Sequence, residues 1–177
     1  MKAGNMEIKT GKGPLPTPLD TLSKSLRLIF FSEKAMLALM LNRKHTLNIF
    51  FIYAVSLFIP FRGLQGDLNP EHFGQMVESA LLTFIFIGFI FLYLPKKKGV
   101  FMATTRVILS FEAMSVFLPL TLLLNPEQLH YFHPMYLAWY LSLAVFAVSK
   151  IKGYGYFLSA MVVFASFMVT ILFPALF

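Results

Sequence analysis

The chain of 177 residues contains no cysteine, a single tryptophan and only 13% charged residues, with eight Asp and Glu against fifteen Lys and Arg. Without cysteine there is no disulfide framework, no thiolate nucleophile and no cysteine-ligated metal, which removes several enzyme classes. A GxSxG nucleophile elbow, a Walker phosphate loop, a dinucleotide-binding glycine pattern and paired catalytic carboxylates are also missing. An enzyme that processes phosphate or lipid needs several convergent polar groups. The residues therefore point away from catalysis, and no cofactor is expected.

What fills the chain is apolar. Hydrophobic residues make up 58% and the mean hydropathy is +0.72, against roughly 45–50% apolar and ~25% charged residues in soluble domains. A water-soluble fold of this size could not cover that much apolar surface. The stretch Val100–Leu124 is nearly unbroken apolar sequence with one carboxylate, Glu112, near its centre. Crossing a ~30 Å hydrocarbon core takes about 20 residues at ~1.5 Å rise, so this stretch reads as a membrane span. The same reading gives spans at about 46–64, 72–94, 131–149 and 154–177. The expected fold is an all-α integral membrane protein with five transmembrane helices. Residues 1–18 form a disordered cytoplasmic tail rich in Gly, Pro and Lys, and 19–45 an amphipathic helix region in the interface, broken near Ser32. No apolar run begins near the N-terminus, so a cleaved signal peptide is not expected.

Charge placement sets the orientation. Eight Lys and Arg precede Leu47, Lys96, Lys97 and Lys98 follow the second span, and Lys150 and Lys152 follow the fourth. The intervening loops carry Asp67, Glu71, Glu78 and Glu127, with Arg62 as their one basic residue. Alternate basic loops place the N-terminus inside and Phe177 outside, in a bacterial cytoplasmic membrane by the shortness of the loops. Lys24, Arg27, Lys34, Arg43, Lys44, Lys96, Lys97, Lys98, Lys150 and Lys152 are then the membrane-surface contacts. The charge of +7 serves orientation, so the expected partners are the lipid bilayer and a membrane protein or further copies of the chain, with no nucleic acid. Tyr131, Tyr136 and Trp139 read as outer aromatic-belt anchors, and Tyr93, Tyr154 and Tyr156 as inner ones.

Glu112 is the leading functional candidate, because an ionisable group at mid-span costs on the order of 2.5–3.5 kcal/mol and faces protein or water rather than lipid. Tyr53, Ser56, Ser142 and Ser166 lie at comparable depth on other spans, and Glu112, Tyr53 and Ser142 make the candidate ligand or proton site. Its alternative role is a structural hydrogen bond between helices. Arg106, six positions away, lies on another helix face and offers no ion pair. His72, His130 and His133 with Glu71 and Glu127 hold the right atoms for a divalent metal, but no HExxH-like spacing occurs and Pro134 is expected to interrupt the helix after His133. No metal is therefore expected. Gly155 and Ser159 have the small-xxx-small spacing of tight helix packing. The tetrads Leu68-Asn69-Pro70-Glu71 and Leu124-Asn125-Pro126-Glu127 both read as helix starts.

Five closely spaced spans, the segment FFSEKAMLALMLNRK before them, and a third span reading TTRVILSFEAMSVFLPL after a basic turn resemble the Yip (Ypt-interacting protein) family, particularly its small bacterial members, over residues 26–177. The residues that carry the likeness are Arg106, the Ser110–Ser115 zone, Pro119, Trp139 and the Gly-containing basic turn before the fifth span. The DLYGP segment of eukaryotic members is missing, and Phe111-Glu112 stands where their third span has Gly-Tyr. The resemblance thus implies a fold, a membrane location and a non-enzymatic adaptor or scaffold role, alone or as a subunit of a larger complex. The second expectation is a transporter or channel component that uses Glu112 for proton, ion or solute handling.

Overall fold

The computed structural model describes residues 15–63, 68–69, 73–94 and 99–172. Outside them lie most of the expected N-terminal tail, Asp67, Glu71, His72, Lys96, Lys97, Lys98 and the last five residues. Of the described residues, 84% are helical. The helices are α1 (Pro18–Leu28), α2 (Glu33–Leu41), α3 (Thr46–Ser56), α4 (Phe73–Tyr93), α5 (Val100–Leu109), α6 (Pro126–Lys152) and α7 (Tyr156–Leu172). A 3₁₀ turn, Arg43–His45, leads into α3, and a 3₁₀ helix over Ser110–Leu123 continues α5. Two-residue strands β1 (Phe61–Arg62) and β2 (Leu68–Asn69) pair antiparallel, Phe61 opposite Asn69.

Local chemistry sets these boundaries. Thr17 caps α1 by accepting from the Asp20 amide, with Pro18 in the first turn. The turn to α2 passes through Phe31 at φ 59°, and Ser32 then caps α2. Asn125 and Gln128 form a reciprocal capping box at the start of α6, which ends at Gly153 with φ 72°. Gly99, at φ 89°, opens α5.

α7 packs on α6 and α4, α3 packs on the 3₁₀ helix and on α5, and the α1–α2 hairpin packs on α3, α5 and the 3₁₀ helix. The surface of this bundle is inverted relative to a soluble protein. Leu47, Phe51, Phe58, Leu123, Phe157 and Met168 are largely exposed, whereas Thr21, Ser25, Ser110, Ser115, Ser159 and Ser166 are buried. Hydroxyls and small side chains between helices with large apolar side chains outside is the arrangement of helices packed in lipid. Among the described residues two helical stretches, Val100–Leu123 and Pro126–Lys152, are long and apolar enough to cross a membrane, and Val77–Tyr93 and Tyr156–Leu172 are shorter apolar helices.

Several expectations change. The span expected at 46–64 is α-helical only through Ser56; at ~1.5 Å per residue its eleven residues reach about 16 Å. The chain then turns into β1, whose Arg62 amide donates to the Thr121 hydroxyl at 2.8 Å. Pro134 does not interrupt the fourth span: α6 runs through it for 27 residues. Proline removes one amide donor, and an apolar environment offers the helix no better alternative than to continue. Gly153 and Gly155 do not serve close packing, since a Cβ at either would meet open space. Ser159, by contrast, is fully buried and donates to the Gly155 carbonyl at 3.1 Å.

The apolar stretch Val100–Leu123 changes winding midway. The Ser110 hydroxyl donates four residues back to Arg106, but Ser115 and Thr121 each donate three residues back, to the Glu112 and Leu118 carbonyls at 2.6 Å. Pro119 withholds an amide from the same segment. Fourteen residues of 3₁₀ helix is long for a conformation that normally runs three or four.

Candidate functional site

Glu112 lies in the first turn of the 3₁₀ helix, half-buried. Among the described residues its carboxyl has no hydrogen-bond or ion-pair partner. The charge it carries when ionised acts on three phenols: Tyr53 from α3, and Tyr136 and Tyr140 from α6. Tyr53 is 5% exposed, and its Oη has no hydrogen-bonding partner among the described residues; Thr83 of α4 is the hydroxyl beside it, itself donating to the Ser79 carbonyl. Rings pack on two of these tyrosines. Phe111 meets Tyr140 edge-on at 5.7 Å, Phe86 tilts on Tyr140 at 6.3 Å, and Phe84 meets Tyr53 edge-on at 6.1 Å.

Of the residues expected around Glu112, Tyr53 lies within range of its charge, whereas Ser142 is turned away. Two residues on from Tyr140, at ~100° per residue, Ser142 points to the opposite side of α6. It is exposed, donates to the Ala138 carbonyl at 2.7 Å, and lines an open apolar groove of ≈ 780 Å³ between α6 and α7. Ser56 donates to the Tyr53 carbonyl, and Ser166 is buried on α7, which packs on α6 and α4. Tyr136 and Tyr140 were the residues missed. Their signal is the i, i+4 spacing on one face of α6, with Phe132 stacked on Tyr136 at 6.0 Å.

Arg106 has a partner of another kind. It is 4% exposed; its Nε donates to the Leu39 carbonyl at 3.1 Å, its Nη2 to the Met40 carbonyl, and its Nη1 faces the Thr46 hydroxyl at 3.4 Å. The guanidinium thus caps the C-terminal carbonyls of α2, where a cation also complements the helix dipole. Trp139 is not a belt anchor: its indole N–H donates to the Ile29 carbonyl at 2.8 Å, and its ring lies between Phe30 and Phe117.

A third polar cluster sits where α1 meets the turn before α3. His45 is 1% exposed, with Nδ1 2.7 Å from the Thr21 hydroxyl and Nε2 3.2 Å from Lys24 Nζ. Thr21 gives its own proton to the Thr17 carbonyl and accepts from Asn48, so the ring must donate from Nδ1 and accept at Nε2. Burial, reinforced by the Lys24 charge, holds the imidazole below its ordinary pKa. The Asp20 carboxyl, bonded to Lys24 at 2.7 Å, is lowered by that bond.

Several cations expected at headgroups are engaged within the protein: Lys24 as above, Lys150 with Glu33 at 2.6 Å, and Lys152 with the Tyr93 carbonyl at 2.8 Å. Arg27, Lys34 and Arg43 are exposed. His130 and His133 each turn one ring nitrogen to a backbone carbonyl, of Pro126 and Arg62. Among the described residues no cluster of His, Asp or Glu could hold a metal ion. No protein-family model matches the chain, and neither the curated proteins nor the solved structures give a match.

Proposed function

We propose that this chain is a five-span integral membrane protein, N-terminus inside and C-terminus outside, that handles a proton or cation at Glu112 without catalysing a covalent reaction. The observation that carries this reading is the Glu112 carboxyl, which has no hydrogen-bond or ion-pair partner among the described residues, inside a bundle whose outer surface is apolar. An intramembrane carboxyl without a cation is retained at a cost, and ion and proton pathways are where such groups occur. The Ser110–Leu123 winding supports the same reading, since mid-helix 3₁₀ segments mark hinges. The test is reconstitution in liposomes with an internal pH-sensitive dye. Wild-type protein dissipates an imposed pH gradient and Glu112→Gln does not; flux that is absent, or equal in the two proteins, refutes the reading.

A second reading, a Yip-like membrane adaptor or scaffold of the bacterial inner membrane, is favoured by Arg27, Lys34 and Arg43, which leave an exposed basic surface on the docked N-terminal region. Purification in mild detergent with identification of stably associated membrane proteins tests it. Reversing these three charges should release such a partner without disturbing Glu112-dependent flux.

A further inference from the structure

We infer that the groove between α6 and α7 seats one acyl chain of an anionic phospholipid from the inner leaflet, with the lipid phosphate held by Lys150 at the end of the groove. The inference rests on the membrane placement proposed above and makes no use of ion handling at Glu112.

The length and chemistry of the groove select a chain. Its ≈ 780 Å³ are bordered by Leu137, Leu141 and Val145 of α6 and by Phe164 and Phe167 of α7. Leu137 and Phe164 are exposed, so the groove opens onto the outer apolar surface of the bundle. The steps along α6 from Pro134 to Phe146, both of which border it, measure about 18 Å at ~1.5 Å per residue. One leaflet of a ~30 Å hydrocarbon core is about 15 Å deep. The Ser142 hydroxyl, the polar group along this length, is satisfied by the Ala138 carbonyl at 2.7 Å. The groove therefore suits a long apolar ligand and not a polar one.

One end is built differently. Phe146, Phe31 and Tyr156 border it there, with the Phe31 ring edge-on to Phe146 at 5.7 Å. Phe31 stands just after α1 at φ 59°, a backbone position that glycine normally takes, and it brings a ring to the groove that glycine could not. Lys150 follows Phe146 by one helical turn, its Nζ 6.0 Å from that ring. This end of the groove is thus the charged one.

Charge complementarity names the headgroup. Lysine has three N–H donors and binds phosphate as a point charge. Lys150 gives one of them to Glu33 at 2.6 Å, and both side chains reach solvent. The remaining donors point to an anion at the mouth, and the pair itself, being exposed, holds the ammonium only weakly. Glu33 is then the competitor of a lipid phosphate for Lys150. Removing the lysine and removing the glutamate break the same ion pair but act on the lipid with opposite sign.

The test is native mass spectrometry of the purified full chain in mild detergent, titrated with phosphatidylglycerol and with phosphatidylcholine of matched acyl chains. The wild type should bind one lipid saturably and favour phosphatidylglycerol by about fivefold, the effect of one lysine near a headgroup. Lys150→Gln should abolish that preference, whereas Glu33→Gln should raise it by about twofold to fivefold. Ser142→Phe puts a ring into the groove and should weaken both lipids by at least about tenfold, while Ser142→Ala stays near wild type. Equal retention of the two lipids by the wild type, a shift of the same sign in Lys150→Gln and Glu33→Gln, or unchanged retention by Ser142→Phe overturns the proposal. A dimer in the same spectra that Ser142→Phe dissolves would assign the groove to a second copy and overturn it as well.

Discussion

Replacing Arg106 by Met should detach the C-terminal end of α2 while leaving the rest of the bundle folded. α2 is nine residues long, too short to be stable alone, so its helicity depends on what it packs against. Its Leu39 and Met40 carbonyls are satisfied by the guanidinium, and the variant leaves both without that donor. Each orphaned carbonyl costs about 1–3 kcal/mol, partly offset because a desolvated charge is removed as well. A net loss of about 2–4 kcal/mol raises the population of the undocked state by a factor of about 30 to 1,000. Arg106→Lys keeps the charge but not the fork, and falls between wild type and Met. Hydrogen exchange followed by mass spectrometry in detergent measures this directly. Amides of α2 should lose protection by that factor while those of α7 keep theirs. Unchanged protection of α2 would refute the capping role, and an equal loss in α7 would show that Arg106 holds the whole bundle instead.

The buried His45 predicts a pH dependence. Its folded pKa is lowered, so as pH falls below the unfolded value of about 6.5 the unfolded chain takes up a proton that the Thr21–His45–Lys24 network refuses. Stability is therefore full above about pH 6.5 and declines below it, as His45, facing the charges of Lys24, Asp20 and Arg106, is forced to ionise. Thermal midpoints of wild type and His45→Gln across that range check this, and parallel curves would refute it. Trp139→Phe keeps the ring packing but removes the donor to Ile29, and should cost about 1–2 kcal/mol, read as a lower thermal midpoint. Gly153→Ala should cost about 1 kcal/mol through its left-handed backbone alone, whereas Gly155→Ala, with open space at the Cβ, should be close to neutral; matched melting curves decide.

The apolar runs, the helix-start signal at Asn125 and Pro126, and the isolation of Glu112 were legible because each is a local property of the chain. The surroundings of Glu112 were less legible. Depth along a span is readable from residue count, and Tyr53 and Ser142 were both chosen by it without regard to helix phase. The phase of α6 is set by packing of Leu143, Ala144 and Ala147, and it turns Tyr136 and Tyr140 to that side. Arg106 was recognised as a cation without an ion pair, yet its partners are backbone carbonyls more than sixty residues away, and carbonyls leave no mark in a sequence. The same holds for Trp139 and Ile29. Pro134 misled because a proline removes a single amide bond, and the rest of a long, packed helix can carry that loss.

The tight winding of Ser110–Leu123 sets how far the chain climbs between α5 and α6. A 3₁₀ helix rises ~2.0 Å per residue against ~1.5 Å for an α-helix, so the stretch Ser110–Leu123 stands about 7 Å taller than residue count alone would make it. That added height carries Thr121 and Leu124 to where Arg62 meets them, its amide on the Thr121 hydroxyl and its guanidinium on the Leu124 carbonyl. The short α3 and the tall 3₁₀ helix thus end together, and reach along the bundle is governed by pitch as much as by the number of residues.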